Sequence, residues 1–367
     1  MLHRRPWRLR LYPGLLVLLT ALACAAPATT PPSSSPTSSS GAAQAATSIA
    51  SPAGPLSTAG AASLTRLRIP YSTPTGGHLT LWYAVMSGLL AQQGLDVESD
   101  YIPTSTVLTQ GLMAGEYQLA SSSQDATLSA NLAGSDVVLI AAGVDRLGFA
   151  IAARQDLASA EQLRGGRLGI TRFGTGTEFA ARAWLPRAGL APERDVTLVP
   201  VGGQPELWAA LQSGAIDAAV LGSPFTGLAR QAGYPELVDF SKLDIPFHVQ
   251  AIVGSRGYIS EHPQIVRAFL EAYAESIARL RQDPALAKAS FARFTGVDDA
   301  QATEEAYEVF MRSSTHAPRL RPDAVQVSLD AMAPTNPAAA SATVGQFIDT
   351  GPLDALEQDG VLARLGL

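Results

Sequence analysis

Cysteine is almost absent from this chain: Cys24 is the single one among 367 residues. One thiol excludes an intramolecular disulfide framework, a cysteine-rich zinc site and a dithiol redox centre. Histidine is scarce as well. His3, His78, His248, His262 and His316 include no pair at i+3 or i+4, so the sequence holds no helical metal motif and no metal or cofactor is expected. Excess positive charge is missing too. Lys+Arg 26 against Asp+Glu 32 gives a net charge of -6 and a pI near 5.4, which argues against a nucleic-acid binder held by phosphate neutralisation. A membrane-length apolar run is also lacking, since Leu15–Ala23 falls short of the roughly 20 residues that a spanning helix needs.

What is present is sharply segregated. Arg4, Arg5, Arg8 and Arg10 are the only charges before Arg66, and residues 11–65 carry none. A basic start, a short apolar run and small residues at its end read as a secretory signal over residues 1–23. The lone cysteine closes that run in Ala21-Leu22-Ala23-Cys24, which looks like a lipoprotein signal. Processing there leaves Cys24 as the new N-terminus, acylated and anchored to the outer face of a membrane. Ordinary cleavage after an Ala-x-Ala is the alternative. Residues 24–63, rich in Ser, Pro, Ala and Thr, cannot bury a core and are expected to be a disordered tether.

From Arg66 onward strand and helix patterns alternate. Leu67–Tyr71 reads as a strand and Ser72–Gly77 as a turn, and Leu79, Trp82, Val85, Met86, Leu89 and Leu90 recur at helical spacing before the strand Asp96–Glu98. A similar unit follows about a hundred residues later, with a strand at Arg167–Thr171, a glycine loop at Gly174–Thr177, a helix around Phe179–Trp184 and a strand at Val196–Val201. The next elements match as well: Leu112–Ala120 lines up with Leu211–Ala219, each a helix that stops at glycine and enters a buried strand. Two lobes of like topology are expected. The apolar runs Gly148–Ala152 and Phe247–Val253 are expected as two crossover strands, which places lobe I at 64–153 and 248–367 and lobe II at 154–247. Helices at 301–312, 323–332 and 353–365 are expected to pack on lobe I.

Several of these segments resemble one family. Trp82–Glu98, Leu112–Glu116, Leu163–Gly169, Leu211–Ala218 and Glu261–Phe269 are similar, in order and spacing, to segments of solute-binding proteins of the nitrate/sulfonate/taurine and thiamine-pyrimidine-precursor type. The resemblance implies a two-lobed α/β periplasmic-binding-protein fold of the second type. It also implies a monomer that captures a small polar or anionic organic molecule between its lobes, with the permease and ATPase subunits of an ABC importer as partners. The sequence departs from the sulfonate-binding branch at Tyr71-Ser72-Thr73, where that branch carries aromatic-Gln-Lys, and at Gly222-Ser223-Pro224-Phe225, where it carries Trp-Asp-Pro-Tyr. That branch's specificity is therefore not carried over.

In such a fold the cleft is lined by loops that leave strands and start helices, where free N–H groups and partial positive charge converge. The expected ligand-binding residues are Ser72, Thr73, Gly76 and Gly77 in the first loop and Thr104 and Ser105 in the second. Ser122, Ser123 and Gln124 follow in the third, then Arg172, Gly174, Thr175, Gly176 and Thr177 in the fourth, with Ser223 beyond them. Helix N-caps account for several of these residue types equally well. Arg172 suits a carboxylate or sulfonate and Asp125 an amine, so the two point to opposite ligand charges. Among the aromatics, Trp82 and Phe173 are expected in the core, and Tyr71 and Phe225 are placed to stack on a planar ligand. Gly174–Thr177 lacks the third small residue of a dinucleotide loop and the Lys of a P-loop.

An enzyme is not expected. Synthases related to the pyrimidine-precursor binders use a cysteine-rich motif, which nothing past Cys24 supplies, and Gly254-Ser255-Arg256-Gly257 has the wrong spacing for a nucleophile elbow. The remaining alternative is a lipoprotein that presents a ligand to a membrane receptor.

Overall fold

The computed structural model describes residues 64–367. The expected signal peptide, the tether and Cys24 lie outside the described residues. In chain order the strands are β1 (Thr65–Arg68), β2 (Tyr71–Ser72), β3 (Leu95–Glu98), β4 (Tyr101–Ile102), β5 (Ala120–Ser122), β6 (Val137–Ala142), β7 (Phe149–Ala153), β8 (Arg167–Ile170), β9 (Thr197–Pro200), β10 (Ala218–Gly222), β11 (Glu236–Asp239) and β12 (Ala251–Ser255). The run read as one first strand is split near Pro70, which has no N–H to give to a ladder. Its first half, β1, pairs in parallel with β3 as a separate two-stranded ribbon, and β2 joins the larger sheet.

Two five-stranded sheets carry the fold, in the orders β4-β2-β5-β12-β6 and β9-β8-β10-β7-β11. Each has a parallel start and one antiparallel strand in fourth place: β12 against β5 and β6, and β7 against β10 and β11. The two lobes therefore repeat one topology, and each takes its antiparallel strand from chain that has just crossed from the other. β6, β7 and β10 are buried along their whole length, as apolar runs covered on both faces require.

The crossing itself differs from the sequence expectation. Phe149–Ala153 is a strand of the second sheet, so lobe II begins before residue 154, and Ala251–Ser255 lies wholly within the first sheet. The connections are the segments just before them, which meet where Arg146 bridges Pro246 and where the Phe247 N–H donates to the Asp145 carbonyl at 2.9 Å. Apolar runs marked the strands that the crossings feed, because burial is what such runs report.

The C-terminal helices also depart in one respect. Pro322–Met332 packs on lobe I, with the Gln124 amide donating to the Ala324 carbonyl at 2.8 Å. Ala300–Ser313, however, reaches lobe II: Arg230 pairs with Glu305 at 2.5 Å, and Gln231 donates to Asp299 at 3.1 Å. The helix expected at 353–365 is broken into Gly351–Gln358 and Val361–Arg364 at Gly360, whose φ of 70° is left-handed. A helix absent from the sequence reading, Pro284–Thr295, brings Phe291 and Phe294 against Trp82.

Candidate functional site

The two lobes touch through backbone. The Gly76 N–H of lobe I donates to the Ser223 carbonyl of lobe II at 3.0 Å. Packing within lobe I explains Gly76 and Gly77, and the approach of the two lobes explains Gly222. A Cβ on Gly76 would stand 2.9 Å from the Phe291 ring, one on Gly77 2.7 Å from Gln250, and one on Gly222 2.9 Å from Thr75. Around this contact lies a void of about 20 Å³, bordered by Thr75, Gly76, Gly77, Phe149, Gly222 and Ser223. Phe310 and Ser313 of the bridging helix close its far side.

Beside it the facing loops build a wholly uncharged polar surface around a void of about 10 Å³. Lobe I contributes Thr73, Ser105, Ser123 and Gln250, and lobe II contributes Thr171, Thr175, Thr177 and Gln204. On the lobe I side the Ser105 hydroxyl lies 2.7 Å from that of Ser72 and accepts the Ser123 N–H at 3.1 Å. On the lobe II side the hydroxyls of Thr171, Thr175 and Thr177 form a triangle with edges of 2.8–3.0 Å. Gln204 is fixed by accepting the Gly222 N–H at 2.9 Å and donating to Val220. The Thr75 and Ser123 hydroxyls are buried with no partner, although buried polar groups are ordinarily satisfied. Strain is concentrated in the same loops: Thr73 and Thr104 have φ of 61° and 69°, in the left-handed region that disfavours a branched side chain.

The expected site residues divide accordingly. Thr73, Ser105, Ser123, Thr175, Gly176 and Thr177 line one void, and Gly76, Gly77 and Ser223 line the other. Ser72 is buried and engaged with Ser105 and Gln250, and Thr104 caps the helix Ser105–Met113. Ser122 instead bonds Thr109 inside lobe I, and Gln124 ties Ala324 and Ser328 to the His248 N–H, so neither borders the voids. Arg172 is exposed and is not among the void-lining residues. Gly174 borders a separate, larger hollow with Asp125. The sequence reading missed Thr171, Gln204, Gln250 and Phe149. Thr171 was in sight as the last residue of a strand, but the others come from a helix start and from the crossing chain, where no motif marked them.

The aromatic expectations also change. Tyr71 is not free to stack on a ligand: it is packed on Trp82, His78 and Phe294 and donates its hydroxyl to the Phe294 carbonyl at 3.1 Å. Phe225 is buried within lobe II, whereas Phe173, expected in the core, is 45% exposed.

His78 locks the first loop from below. Its ring is fully buried, and Nε2 donates to the Ser72 carbonyl, since a carbonyl can only accept. Nδ1 therefore accepts from the Ser121 hydroxyl, at 2.7 Å. Burial pushes its pKa down to about 3, so the ring is neutral at ordinary pH. His248, equally buried, holds the crossing: Nδ1 donates to Val144 at 3.2 Å and Nε2 accepts the Arg321 N–H at 2.9 Å. Among the described residues no cluster of His, Cys, Asp and Glu is arranged to hold a metal ion.

Among curated proteins none matches the chain by sequence. The family model described as NMT1/THI5 like matches residues 75–287, more than half of the chain. The chain belongs to the NMT1/THI5-like family. Solved structures agree on its fold. The NMT1/THI5-like chain is similar to a protein of Bordetella bronchiseptica RB50, with a TM-score of 0.69 and 19% identity, covering 81% of this chain and 98% of that one. It is also similar to the alkanesulfonate-binding protein SsuA of Xanthomonas axonopodis pv. citri, solved bound to MOPS, with a TM-score of 0.67, 19% identity and coverage of 79% and 100%. A third is the ligand-binding component of an ABC-type import system from Staphylococcus aureus, solved with zinc bound, with a TM-score of 0.64, 15% identity and coverage of 79% and 98%. These identities establish the two-lobed α/β architecture and leave the ligand open.

Proposed function

We propose that this NMT1/THI5-like protein is an extracytoplasmic solute-binding protein that takes a small polar organic molecule between its lobes and delivers it to an ABC importer. The observation that carries this reading is the facing pair of hydroxyl and amide surfaces. Two rigid sheets of the same order present neutral donors and acceptors to each other, two of which, Thr75 and Ser123, are buried without partners. A cleft of this kind gives up little by opening and can bond a solute from both sides on closing. Neutral hydroxyls, amides and helix N-termini accept either polarity of ligand, including an anion held without a counter-charge. The crossing segments around Arg146 and Pro246 would serve as the hinge.

The printed roles of the similar proteins, alkanesulfonate binding and ABC-type import, support the class of function. Partners on this reading are a permease and its ATPase, with Cys24 as the lipid anchor and the chain acting as a monomer outside the cytoplasm. Thermal denaturation against a panel of sulfonates, nitrate, pyrimidines, aromatic acids and amines tests the reading. A ligand present at 100 times its Kd should stabilise by about 2.7 kcal/mol. No shift with any of them would count against it.

A further inference from the structure

The neutral surface between the lobes has an unbalanced charge next to it. Helices Gln124–Leu132, Gly176–Trp184 and Pro322–Met332 border a hollow of about 370 Å³ that is partly open to solvent. Small-molecule sites begin at about 300 Å³. The two voids described above are water-sized by comparison. Phe179 and Met332 give the hollow apolar wall, and Ser129, Thr335 and Asn336 give it polar edge.

Asp125 also lines this hollow. It is only 4% exposed, and its Oδ1 is buried with no hydrogen-bond partner. Ser328, on the facing helix, lines the same hollow. Of the elements packed around it, its own helix contributes neutral Ser129, and Pro322–Met332 contributes neutral Ser328, Ala331 and Met332. Gly176–Trp184 brings Glu178 and Arg182, which satisfy each other at 2.7 Å. Glu178 further accepts the Gly174 N–H at 2.6 Å, and Arg182 reaches Glu193 at 3.2 Å. The local cation is thus spent on other carboxylates, and Asp125 is a buried acid without a counter-charge. Such a group is costly until a cation or a proton neutralises it.

From this geometry we infer that the hollow seats a small organic cation, with its ammonium on Asp125 Oδ1 and its apolar body against Phe179 and Met332. The inference rests on the solute-capture reading and deepens it by assigning this hollow, separate from the hydroxyl-lined voids, to the cationic end of the captured solute. Of the two opposite signals in the sequence, Arg172 lies exposed at the surface, whereas Asp125 lies buried in a space of ligand size. A charge-assisted hydrogen bond in this desolvated position is among the stronger recognition contacts. Burial also pushes the Asp125 carboxyl up to about 7, with Glu178 adding to the rise and Ser328 opposing it. Cation binding therefore draws on the ionised form and releases a proton in the neutral range.

The test is calorimetric titration of the intact chain with benzylamine, benzyl alcohol and benzenesulfonate at pH 8.5 and 5.5. Benzylamine should bind at least about tenfold more tightly than the alcohol at pH 8.5. It should weaken by about thirtyfold at pH 5.5, as expected for a carboxyl that titrates near 7. Asp125→Asn should abolish both the preference and the pH dependence. Ala331→Trp, at an exposed position on the rim, should block the hollow without burdening the core. An equal affinity for amine and alcohol, a preference that survives Asp125→Asn, or a preference for benzenesulfonate would overturn the inference. Binding of the sulfonate or the alcohol in place of the amine leaves solute capture standing, whereas silence from all three and from the wider panel removes both.

Discussion

The Gly76 N–H and the Ser223 carbonyl oxygen, 3.0 Å apart, form a backbone hydrogen bond directly between the two lobes. It is flanked by glycine on the lobe II side, where a Cβ on Gly222 would stand 2.9 Å from the Thr75 side chain of lobe I. Gly76→Ala would set a methyl 2.9 Å from the ring of fully buried Phe291, which has no space to retreat. The variant should lose about 1–3 kcal/mol of stability by urea denaturation. Gly345→Ala, whose added Cβ meets nothing within 4 Å, should match wild type.

The buried histidines set an acid limit. His78 is held neutral, with its pKa lowered by burial to about 3 from 6.5, and His248 is lowered in the same way. The unfolded chain therefore takes up protons below about 6.5 that the folded chain refuses. The stability due to His78 is complete above that pH and is lost as pH falls toward about 3. At pH 4.5 the loss from His78 alone should be about 2–3 kcal/mol. His78→Asn should flatten the profile over this window, as followed by urea denaturation at several pH values.

Asp125 acts in the opposite sense. Its folded pKa is raised from 3.8 to about 7, so the folded chain holds a proton that the unfolded chain has already released. Its stability cost is absent below about 3.8, grows as pH rises through this interval and is complete above 7. Asp125→Asn should therefore raise the Tm of the ligand-free protein at pH 8 and leave it nearly unchanged at pH 4. An unchanged or lower Tm at pH 8 would show that the carboxylate has a partner after all.

Cys24 provides a chemical prediction outside the described residues. If it is the lipid anchor, the mature chain begins at Cys24 and carries acyl mass, and Cys24→Ser releases the protein from the membrane fraction. Intact-mass measurement of the membrane-extracted chain decides this. A protein that begins at another residue and lacks added mass would contradict it.

Most of the architecture was legible because it follows from burial. Apolar runs such as Val137–Ala142 and Phe149–Ala153 announce strands, and helices that stop at Gly115 and Gly214 reveal the repeat. Strand pairing across the crossing is a tertiary fact, so Gly148–Ala152 read as a crossover between the lobes, whereas Phe149–Ala153 is an antiparallel strand of lobe II. Of the candidate site, the residues that line the void between the lobes were legible where hydroxyls sit at strand ends, as at Thr73, Ser105, Thr175 and Thr177. Orientation escaped the reading. Ser122 and Ser123 are neighbours in the sequence, but one faces Thr109 within lobe I and the other borders a void between the lobes. Phe173 looked like a core residue by type, yet it projects from a loop tip.

The most direct test of capture between two lobes is the affinity of one solute for a pair of variants, one on each side. Ser123→Ala removes an unpartnered hydroxyl of lobe I, and Thr175→Ala removes a hydroxyl from the triangle of lobe II. For the solute that stabilises the protein most, calorimetry should show each variant binding more weakly by about 5–30-fold, or about 1–2 kcal/mol. Unchanged affinity in both variants, with both folded, would contradict binding between the lobes.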